Sequence, residues 1–440
     1  MLKSGLQLDR RQVLGGLAGI GVLGFTPLAA MTATGATVAE TTRMKLYFDD
    51  AEFDGQLQRT AAAAYSGAAD LGEMMVAAGK VTPGDNDSWW TAWSEVAARA
   101  ESSAKDSASG AHVASAAGAW LRASEYWRQA IFFIRHDLND ERLQEGWRRH
   151  RAAFRAALPL LPSPATIVEV PFGEARMTGY LIRPAADDLP RPTVILPAGF
   201  DSTAEAAYSF TGTMAIAHGM NAFCFEGPGQ GGMLYADRIP MRPDFEAVLP
   251  PVVDWLLAQG GVDPKSLVLV GRSFGGYLAP RAAAHEPRLA ALVCDPGQYD
   301  FVSRMVPGMI DAATWAKVLA KDSQVDEKLE QMLKGPGKLE YFGSRMATQG
   351  AKTVGDFLRL QPLYTLDGHA DLIRCPTLVV DCEGDFASQG DKLMAALTCE
   401  KTLLKLSADS GAGGHCGGMG QLVWERVVFD WVETALARRG

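Results

Sequence analysis

Apolar residues recur every three or four positions along the first third of the chain, which is the spacing of an amphipathic helix. One series consists of Trp89, Trp90, Trp93, Val96 and Ala97, and a second of Trp120, Leu121, Tyr126, Trp127, Ile131 and Ile134. Pro83-Gly84 breaks the chain before the first series, and Asp87 or Ser88 can cap the helix that follows. We therefore predict a helical domain over residues 45–155.

The period changes after Pro162 and Pro164, where short apolar runs alternate with helical segments. The predicted strands are 166–170, 177–182, 193–196, 222–225, 267–270, 291–294, 377–381 and 402–406. The main predicted helices are 204–218, 245–259, 277–284 and 422–436, with three more at 309–319, 325–333 and 354–360. This alternation is typical of an α/β domain with a mostly parallel sheet and helices on both faces. We place it at residues 160–440, with a mainly helical insertion at 300–366.

The first 36 residues have the composition of an export signal. Lys3, Arg10 and Arg11 precede an apolar, glycine-rich run, and small residues follow as far as Ala36. Arg10-Arg11 resembles a twin-arginine signal, which predicts export to the periplasm. The alternative is a disordered tail retained in the cytosol.

Composition narrows the classes of function. A net charge of -9 over 440 residues predicts neither a nucleic-acid partner nor, apart from export, a membrane partner. The six cysteines are too scattered for a disulfide framework, and no Cys or His spacing is typical of a metal site. We expect a small-molecule substrate and no cofactor. A monomer and a homodimer are both compatible with the sequence.

One stretch carries the clearest chemical signal. Gly271-Arg272-Ser273-Phe274-Gly275 fits G-x-S-x-G, follows an apolar strand and precedes a predicted helix. This context predicts a nucleophile elbow, with Ser273 exposed at the turn and the flanking glycines allowing strand and helix to approach. The alternative is a glycine-rich turn with an incidental serine.

A nucleophilic serine needs a histidine base and an acid further along the chain. Of the three downstream histidines, His285 lies at the end of the elbow helix and His369 precedes a strand. His415 follows the last strand in a glycine-rich loop, and we predict it as the base.

The acid is expected just after the strand 377–381. Asp381, Glu383 and Asp385 all qualify by position, and Asp385 is favoured because it follows Gly384 in the turn. Its role would be to orient the imidazole and stabilise its charged form. The two oxyanion-hole donors are predicted to be the backbone N–H groups of Phe274 and Phe200.

Several further segments carry a resemblance to a known family. They are residues 199–205, 226–231, 271–277, 295–297, the loop around His415, and 121–127 in the helical domain. Over most of residues 45–438 the chain resembles α/β-hydrolases such as 2,6-dihydroxypseudooxynicotine hydrolase, the fungal polyketide-shortening hydrolases and, more distantly, FrsA-like esterases. The resemblance implies an α/β-hydrolase fold preceded by a helical domain. It also implies hydrolysis of an ester or of a C–C bond next to a carbonyl.

The expected enzyme is therefore a serine hydrolase acting on a small aromatic or hydrophobic substrate. Trp120, Tyr126 and Trp127 are candidates to line the substrate pocket, although such aromatic series usually form a helical core. The alternatives are a general carboxylesterase, a prolyl-oligopeptidase-like peptidase and a non-catalytic binding module.

Overall fold

The computed structural model describes residues 44–304 and 310–438. The predicted export signal, residues 1–36, lies outside the described residues, as does residue 309 at the predicted start of an insertion helix. None of the helices in the described ranges combines the length and the apolarity needed to cross a membrane.

Eight strands form one sheet. They are β1 (Ala165–Phe172), β2 (Ala175–Ile182), β3 (Arg191–Pro197), β4 (Asn221–Phe225), β5 (Val262–Arg272), β6 (Ala291–Asp295), β7 (Thr377–Cys382) and β8 (Lys401–Leu406). Their order is β1-β2-β4-β3-β5-β6-β7-β8. β2 is antiparallel to both β1 and β4, and the remaining pairs are parallel. The prediction of a mostly parallel sheet is confirmed.

Within the described part of the chain, five α-helices precede the sheet. They are α1 (Ala51–Ala62), α2 (Leu71–Ala78), α3 (Asn86–Ser109), α4 (Val113–Ala130) and α5 (Glu141–Ala157). An aspartate carboxylate accepts backbone N–H groups at the start of α1, α2, α3 and α5. For α3 this residue is Asp85, which accepts from Asp87 and Ser88. The prediction of Asp87 or Ser88 as the cap is wrong, because α3 already begins at Asn86.

The other helices lie between and after the strands. They are α6 (Ala204–Ala207), α7 (Thr213–Ala217), α8 (Gly231–Tyr235), α9 (Leu249–Leu257), α10 (Gly275–Ala283), α11 (Ala312–Leu319), α12 (Ser323–Met332), α13 (Lys338–Gln349), α14 (Val354–Leu360), α15 (Gly390–Ala396) and α16 (Gln421–Ala437). A π-helical turn, Tyr208–Gly212, joins α6 to α7. The helix predicted over 204–218 is therefore continuous in direction but not in hydrogen-bond pattern.

The core is divided by the sheet into two layers, because successive side chains of a strand point to opposite faces. On β5, Val268 and Val270 belong to a cluster that includes the tryptophans of α3, whereas Leu267 and Leu269 pack with α9 and α10. The N-terminal helices thus cover one face of the sheet and share its core.

Helices α11 to α14 lie between β6 and β7, where the sequence predicts an insertion. They enclose a small apolar cluster of their own, which includes Val318, Leu329 and Phe357. Helix α13 is absent from the prediction. It contacts the segment between α4 and α5, where Glu340 accepts a 2.6 Å hydrogen bond from His136 Nδ1.

Buried charges also join the N-terminal helices to the sheet. Arg151 of α5 donates to Glu205 and to Glu226, whose side chains are both fully buried. The Glu205 carboxylate also accepts a 2.6 Å hydrogen bond from the Tyr180 hydroxyl, and Glu226 accepts the Gly232 N–H at 2.8 Å. One guanidinium therefore compensates two buried carboxylates.

Replacing Arg151 by Met is expected to lower the free energy of unfolding by about 3 to 5 kcal/mol, because it leaves buried carboxylates without their cation. Chemical denaturation followed by tryptophan fluorescence measures this change. Arg148→Met is the matched control, since Arg148 is exposed on the same helix. Equal denaturation midpoints for the two variants would contradict this account of how the helices dock.

Candidate active site

Ser273 lies in the sharp turn between β5 and α10. Its φ is +57°, a left-handed conformation that is unfavourable for a residue with a side chain. The Ser273 N–H donates to the Asp295 carbonyl at 2.7 Å, and the Gln298 amide donates to the Ser273 carbonyl at 2.6 Å. Hydrogen bonds to the end of β6 and from the loop that follows it therefore hold the strained turn.

Two glycines make this turn possible by close approach. A Cβ on Gly271 would lie 2.0 Å from the Gly275 carbonyl oxygen, and one on Gly276 would lie 1.9 Å from the Pro296 carbonyl oxygen. A Cβ on Gly275 would meet nothing within 4 Å. The prediction that both motif glycines allow strand and helix to approach is therefore correct for Gly271 and wrong for Gly275. Gly276 instead allows the loop after β6 to approach α10.

Ser273, His415 and Asp385 form one hydrogen-bonded chain. The Ser273 Oγ is 2.8 Å from His415 Nε2, and His415 Nδ1 is 2.9 Å from Asp385 Oδ1. About a third of the His415 side chain is exposed, whereas that of Asp385 is fully buried. Such a chain can transfer the serine proton to the imidazole while the carboxylate stabilises the charge that forms.

Of the three predicted acids, only Asp385 contacts His415. Its carboxylate also accepts the backbone N–H groups of Ala387 at 2.9 Å and Cys416 at 3.0 Å. Burial opposes ionisation of Asp385, but His415 and these donors outweigh it and lower the pKa. Asp381 instead accepts a hydrogen bond from Ser388, and Glu383 accepts the Ala408 N–H.

The other two downstream histidines lie together elsewhere. His285 Nε2 is 3.0 Å from His369 Nδ1, and both rings are near Glu246. These three residues could in principle share a metal ion, as could Asp385, His415 and Cys416. The Glu246 carboxylate, however, accepts two hydrogen bonds from Arg281, and His415 Nε2 faces Ser273. The hydrogen bonding of both groups therefore accounts for their geometry without an ion.

Arg272, which precedes the serine, connects the parts of the site. Its guanidinium donates to Asp295, to the Cys416 carbonyl and to Gln421 at the start of α16. It also donates to the Phe210 carbonyl in the π-helical turn, and it lies 4.2 Å from the ring centroid of Trp424. The role of Arg272 is not predicted from the sequence, although a charged side chain at the end of an apolar strand indicates buried partners.

Cys416 is a second residue whose place in the site is not predicted from the sequence. Its Sγ is 3.1 Å from the Ser273 backbone nitrogen and 3.8 Å from His415 Nε2, and its φ is +53°. Burial raises the pKa of the Cys416 thiol, so it stays protonated at neutral pH. The thiol therefore packs against the backbone of the elbow as a small, neutral group.

The loop after β3 lies beside the elbow, as expected for an oxyanion loop. A Cβ on Gly199 would lie 3.5 Å from that of Ser273, so the backbone here passes close to the serine. The Ala198 carbonyl accepts from the Gln230 amide, and Asp201 forms an ion pair of 2.9 Å with Arg59 of α1. The assignment of the Phe200 and Phe274 N–H groups to an oxyanion hole stays a prediction.

Aromatic side chains lie at the residues next to Ser273 and beside His415. The Phe274 ring, which is buried, contacts the half-buried rings of Phe200 and Phe301 at centroid distances of 5.4 and 5.0 Å. On the opposite side, the Phe386 ring lies 4.8 Å from that of His415 and is 74% exposed. These rings suit an apolar or aromatic substrate.

The residues predicted to line the pocket lie elsewhere. Tyr126 is fully buried, and its hydroxyl donates to Glu73. Trp127 is also buried and donates to Glu101 of α3, while Trp120 packs against the same core. The prediction that these three aromatics line the substrate pocket is therefore wrong. They belong to the core of the N-terminal helices, where the Tyr126 hydroxyl and the Trp127 indole N–H have hydrogen-bond partners.

Comparison with known proteins agrees with this architecture. A model described as "Alpha/beta hydrolase family" matches residues 193–419. Hydrolase LUC6 of Fusarium sp is 30% identical over 394 residues, which cover 84% of this chain and 93% of that protein. The 20-hydroxy-prefusarin hydrolase FUS2 of Gibberella moniliformis is 29% identical over 391 residues, with the same two shares.

Solved structures show the same fold. The 2,6-dihydroxy-pseudo-oxynicotine hydrolase has a TM-score of 0.66 at 23% identity, covering 85% of this chain and 95% of its own. AbyA5 has a TM-score of 0.56 at 16% identity, covering 79% and 89%. The resemblance drawn from the sequence motifs is confirmed.

The hydrogen-bonded chain predicts a defined pH dependence for the reactivity of Ser273. Burial lowers the pKa of His415, but the charge and the hydrogen bond of the Asp385 carboxylate raise it, and the net shift is upward from 6.5. Because the Cys416 thiol is neutral, the lasting charge is that of Asp385. Phosphonylation of Ser273 by a fluorophosphonate should therefore increase with pH through a midpoint above 6.5, since only neutral imidazole accepts the proton.

Asp385→Asn should slow this reaction and lower its midpoint, because burial would then act without the opposing carboxylate. Asp381→Asn is the control and should leave the midpoint in place. Rates measured across pH 5 to 9 provide the test, and an unchanged midpoint in Asp385→Asn would show that Asp385 does not act on His415.

Proposed function

The chain belongs to the alpha/beta hydrolase family, and we propose that it is a serine hydrolase with Ser273 as nucleophile, His415 as base and Asp385 as the supporting acid. Its substrate is a small aromatic or hydrophobic molecule, cleaved at an ester or at a C–C bond next to a carbonyl. The observation that carries this proposal is the pair of hydrogen bonds, of 2.8 and 2.9 Å, that joins the three side chains at a strained elbow.

The proposed reaction begins when His415 takes the Ser273 proton and the serine oxygen attacks the substrate carbonyl. The N–H groups of Phe274 and Phe200 would stabilise the resulting oxyanion. As the intermediate collapses, His415 gives its proton to the leaving oxygen or carbon, and an acyl-serine remains. Water, activated by the same imidazole, then releases the carboxylic acid and restores the serine.

The two bond types make different demands on the substrate. An ester releases an alkoxide, which is a stable leaving group once it is protonated. A C–C bond releases a carbanion, which needs a second carbonyl or a phenol ring to spread its charge. The aromatic surroundings of Ser273 support an apolar substrate, and exclusion of water by such a site strengthens the interactions that stabilise developing charge.

Ser273→Ala should abolish labelling by a fluorophosphonate and lower hydrolysis by several orders of magnitude, because the nucleophile is lost. Ser266→Ala, in the middle of β5, is the matched control and should be labelled like the wild type. Labelling of Ser273→Ala at the wild-type rate would refute the proposal.

The wild-type protein is then assayed with β-diketones, aryl ketones and aryl esters, with products identified by mass spectrometry. Cleavage of the diketones to a carboxylic acid and a ketone supports the C–C reaction. Cleavage of the esters alone supports a general carboxylesterase.

We also propose that residues 1–36 direct export to the periplasm by the twin-arginine route. Support comes from Arg10-Arg11 ahead of a weakly apolar, glycine-rich run. The combined changes Arg10→Lys and Arg11→Lys should retain the precursor in the cytoplasm, as measured by fractionation of expressing bacteria. Lys3→Gln is the control, because it alters the charge and keeps the arginine pair. Export of the double variant at the wild-type level would exclude this route.

A further inference from the structure

Arg304 lies on the aromatic side of the proposed active site. Its guanidinium carbon is 4.4 Å from the centroid of the Phe301 ring. Phe301 in turn contacts Phe274 edge to face, and Phe274 directly follows Ser273. Asp385 is among the charged groups whose field acts on Arg304. Two ring contacts therefore link this cation to the nucleophile.

Among residues 44–304 and 310–438, no carboxylate lies within ion-pair distance of the Arg304 guanidinium. The nearby carboxylates already have other partners. Asp300 accepts from Ser303 and forms an ion pair with Lys392, and Asp385 accepts from His415 and two backbone N–H groups. Arg345, which stacks on Tyr341 at 3.6 Å, adds a second positive charge to the surroundings of Arg304.

Several other half-buried arginines of the described residues have carboxylate partners, whereas Arg183 and Arg345 donate to backbone carbonyls instead. The pairs are Arg59–Asp201, Arg151–Glu205, Arg272–Asp295, Arg281–Glu246 and Arg359–Asp326. Burial lowers the pKa of Arg304, yet a guanidinium stays charged in proteins. A partly buried cation without a counterion costs free energy, and an anion that reaches it recovers that cost.

We propose that Arg304 binds a carboxylate of the substrate, while the apolar part of the substrate lies against Phe301 and Phe274. The inference rests on the proposed function in placing the substrate at Ser273. A guanidinium can hold a carboxylate through two parallel hydrogen bonds, so it fixes orientation as well as charge. The preferred substrate is then a hydrophobic or aromatic acid whose cleaved carbonyl is separate from its carboxylate.

A matched pair of esters tests this specificity. Mono(4-nitrophenyl) glutarate and 4-nitrophenyl pentanoate share a leaving group and differ at the far end of the acyl chain, where a carboxylate replaces a methyl group. Arg304→Met should lower kcat/KM for the glutarate by about 10- to 100-fold, as is typical for loss of a charged hydrogen bond. It should change kcat/KM for the pentanoate by less than about threefold, since the triad is untouched.

Three variants accompany this measurement. Arg304→Lys retains the charge and should keep part of the preference for the glutarate, whereas Arg304→Gln should lose it. Arg374→Met is the control, because Arg374 is exposed and precedes β7 at the opposite edge of the sheet from Asp385. If Arg304→Met does not fold, the Gln and Lys variants decide the question.

Binding measured by calorimetry separates this inference from the proposed function. The wild type should bind 2-naphthoate more tightly than neutral 2-naphthalenemethanol, and Arg304→Met should remove the difference. Arg304-dependent binding of naphthoate in a protein that cleaves neither ester would support the anion site and refute the hydrolase. Cleavage of both esters with an unchanged ratio in Arg304→Met and Arg304→Gln would overturn the anion site and leave the hydrolase standing.

Discussion

The close approach of β5 and α10 is the constraint on which the site depends. Gly271 and Gly276 leave no room for a side chain, and the turn between strand and helix holds Ser273 at a positive φ. A strained conformation of this kind persists only where its surroundings over-determine it. Here the surroundings are the loop after β6, through the Asp295 carbonyl and the Gln298 amide. Strain at Ser273 is thus balanced by hydrogen bonds to the last residue of β6 and from the loop that follows it.

Arg272 extends that constraint to the rest of the site. One guanidinium bonds the end of β6, the carbonyl of Cys416 and the first turn of α16. His415 is the neighbour of Cys416, so the cation that precedes the proposed nucleophile, Ser273, also positions the loop that carries the proposed base. The arrangement explains how groups more than a hundred residues apart keep hydrogen-bond distance. It also explains why the elbow strand ends in a charge rather than in another apolar residue.

Much of this architecture follows from patterns in the sequence, and the exceptions have physical causes. Strands appear as apolar runs because both faces of the sheet are covered. The G-x-S-x-G motif and the order of the residues along the chain predict that Ser273, Asp385 and His415 act together. Their side chains do form one hydrogen-bonded chain. The pocket assignment of Tyr126 fails because helical periodicity identifies an inward face and not what that face contacts. Arg272 and Cys416 escape prediction because their partners come from distant segments.

In the proposed function, the same serine, histidine and carboxylate would cleave either an ester or a C–C bond, so the choice between the two bonds lies largely outside these three residues. The two reactions differ in the leaving group. This group must carry negative charge until it accepts a proton from His415. The rings of Phe200, Phe274 and Phe301 pack together beside the turn that holds Ser273. In the proposed reaction, exclusion of water there would make each remaining charge more effective. A cation held on one of those rings then favours a substrate that places its own negative charge there. In the proposed active site, the choice of substrate depends on where the protein compensates the substrate's negative charge. The proposed triad supplies the reactivity that both reactions share.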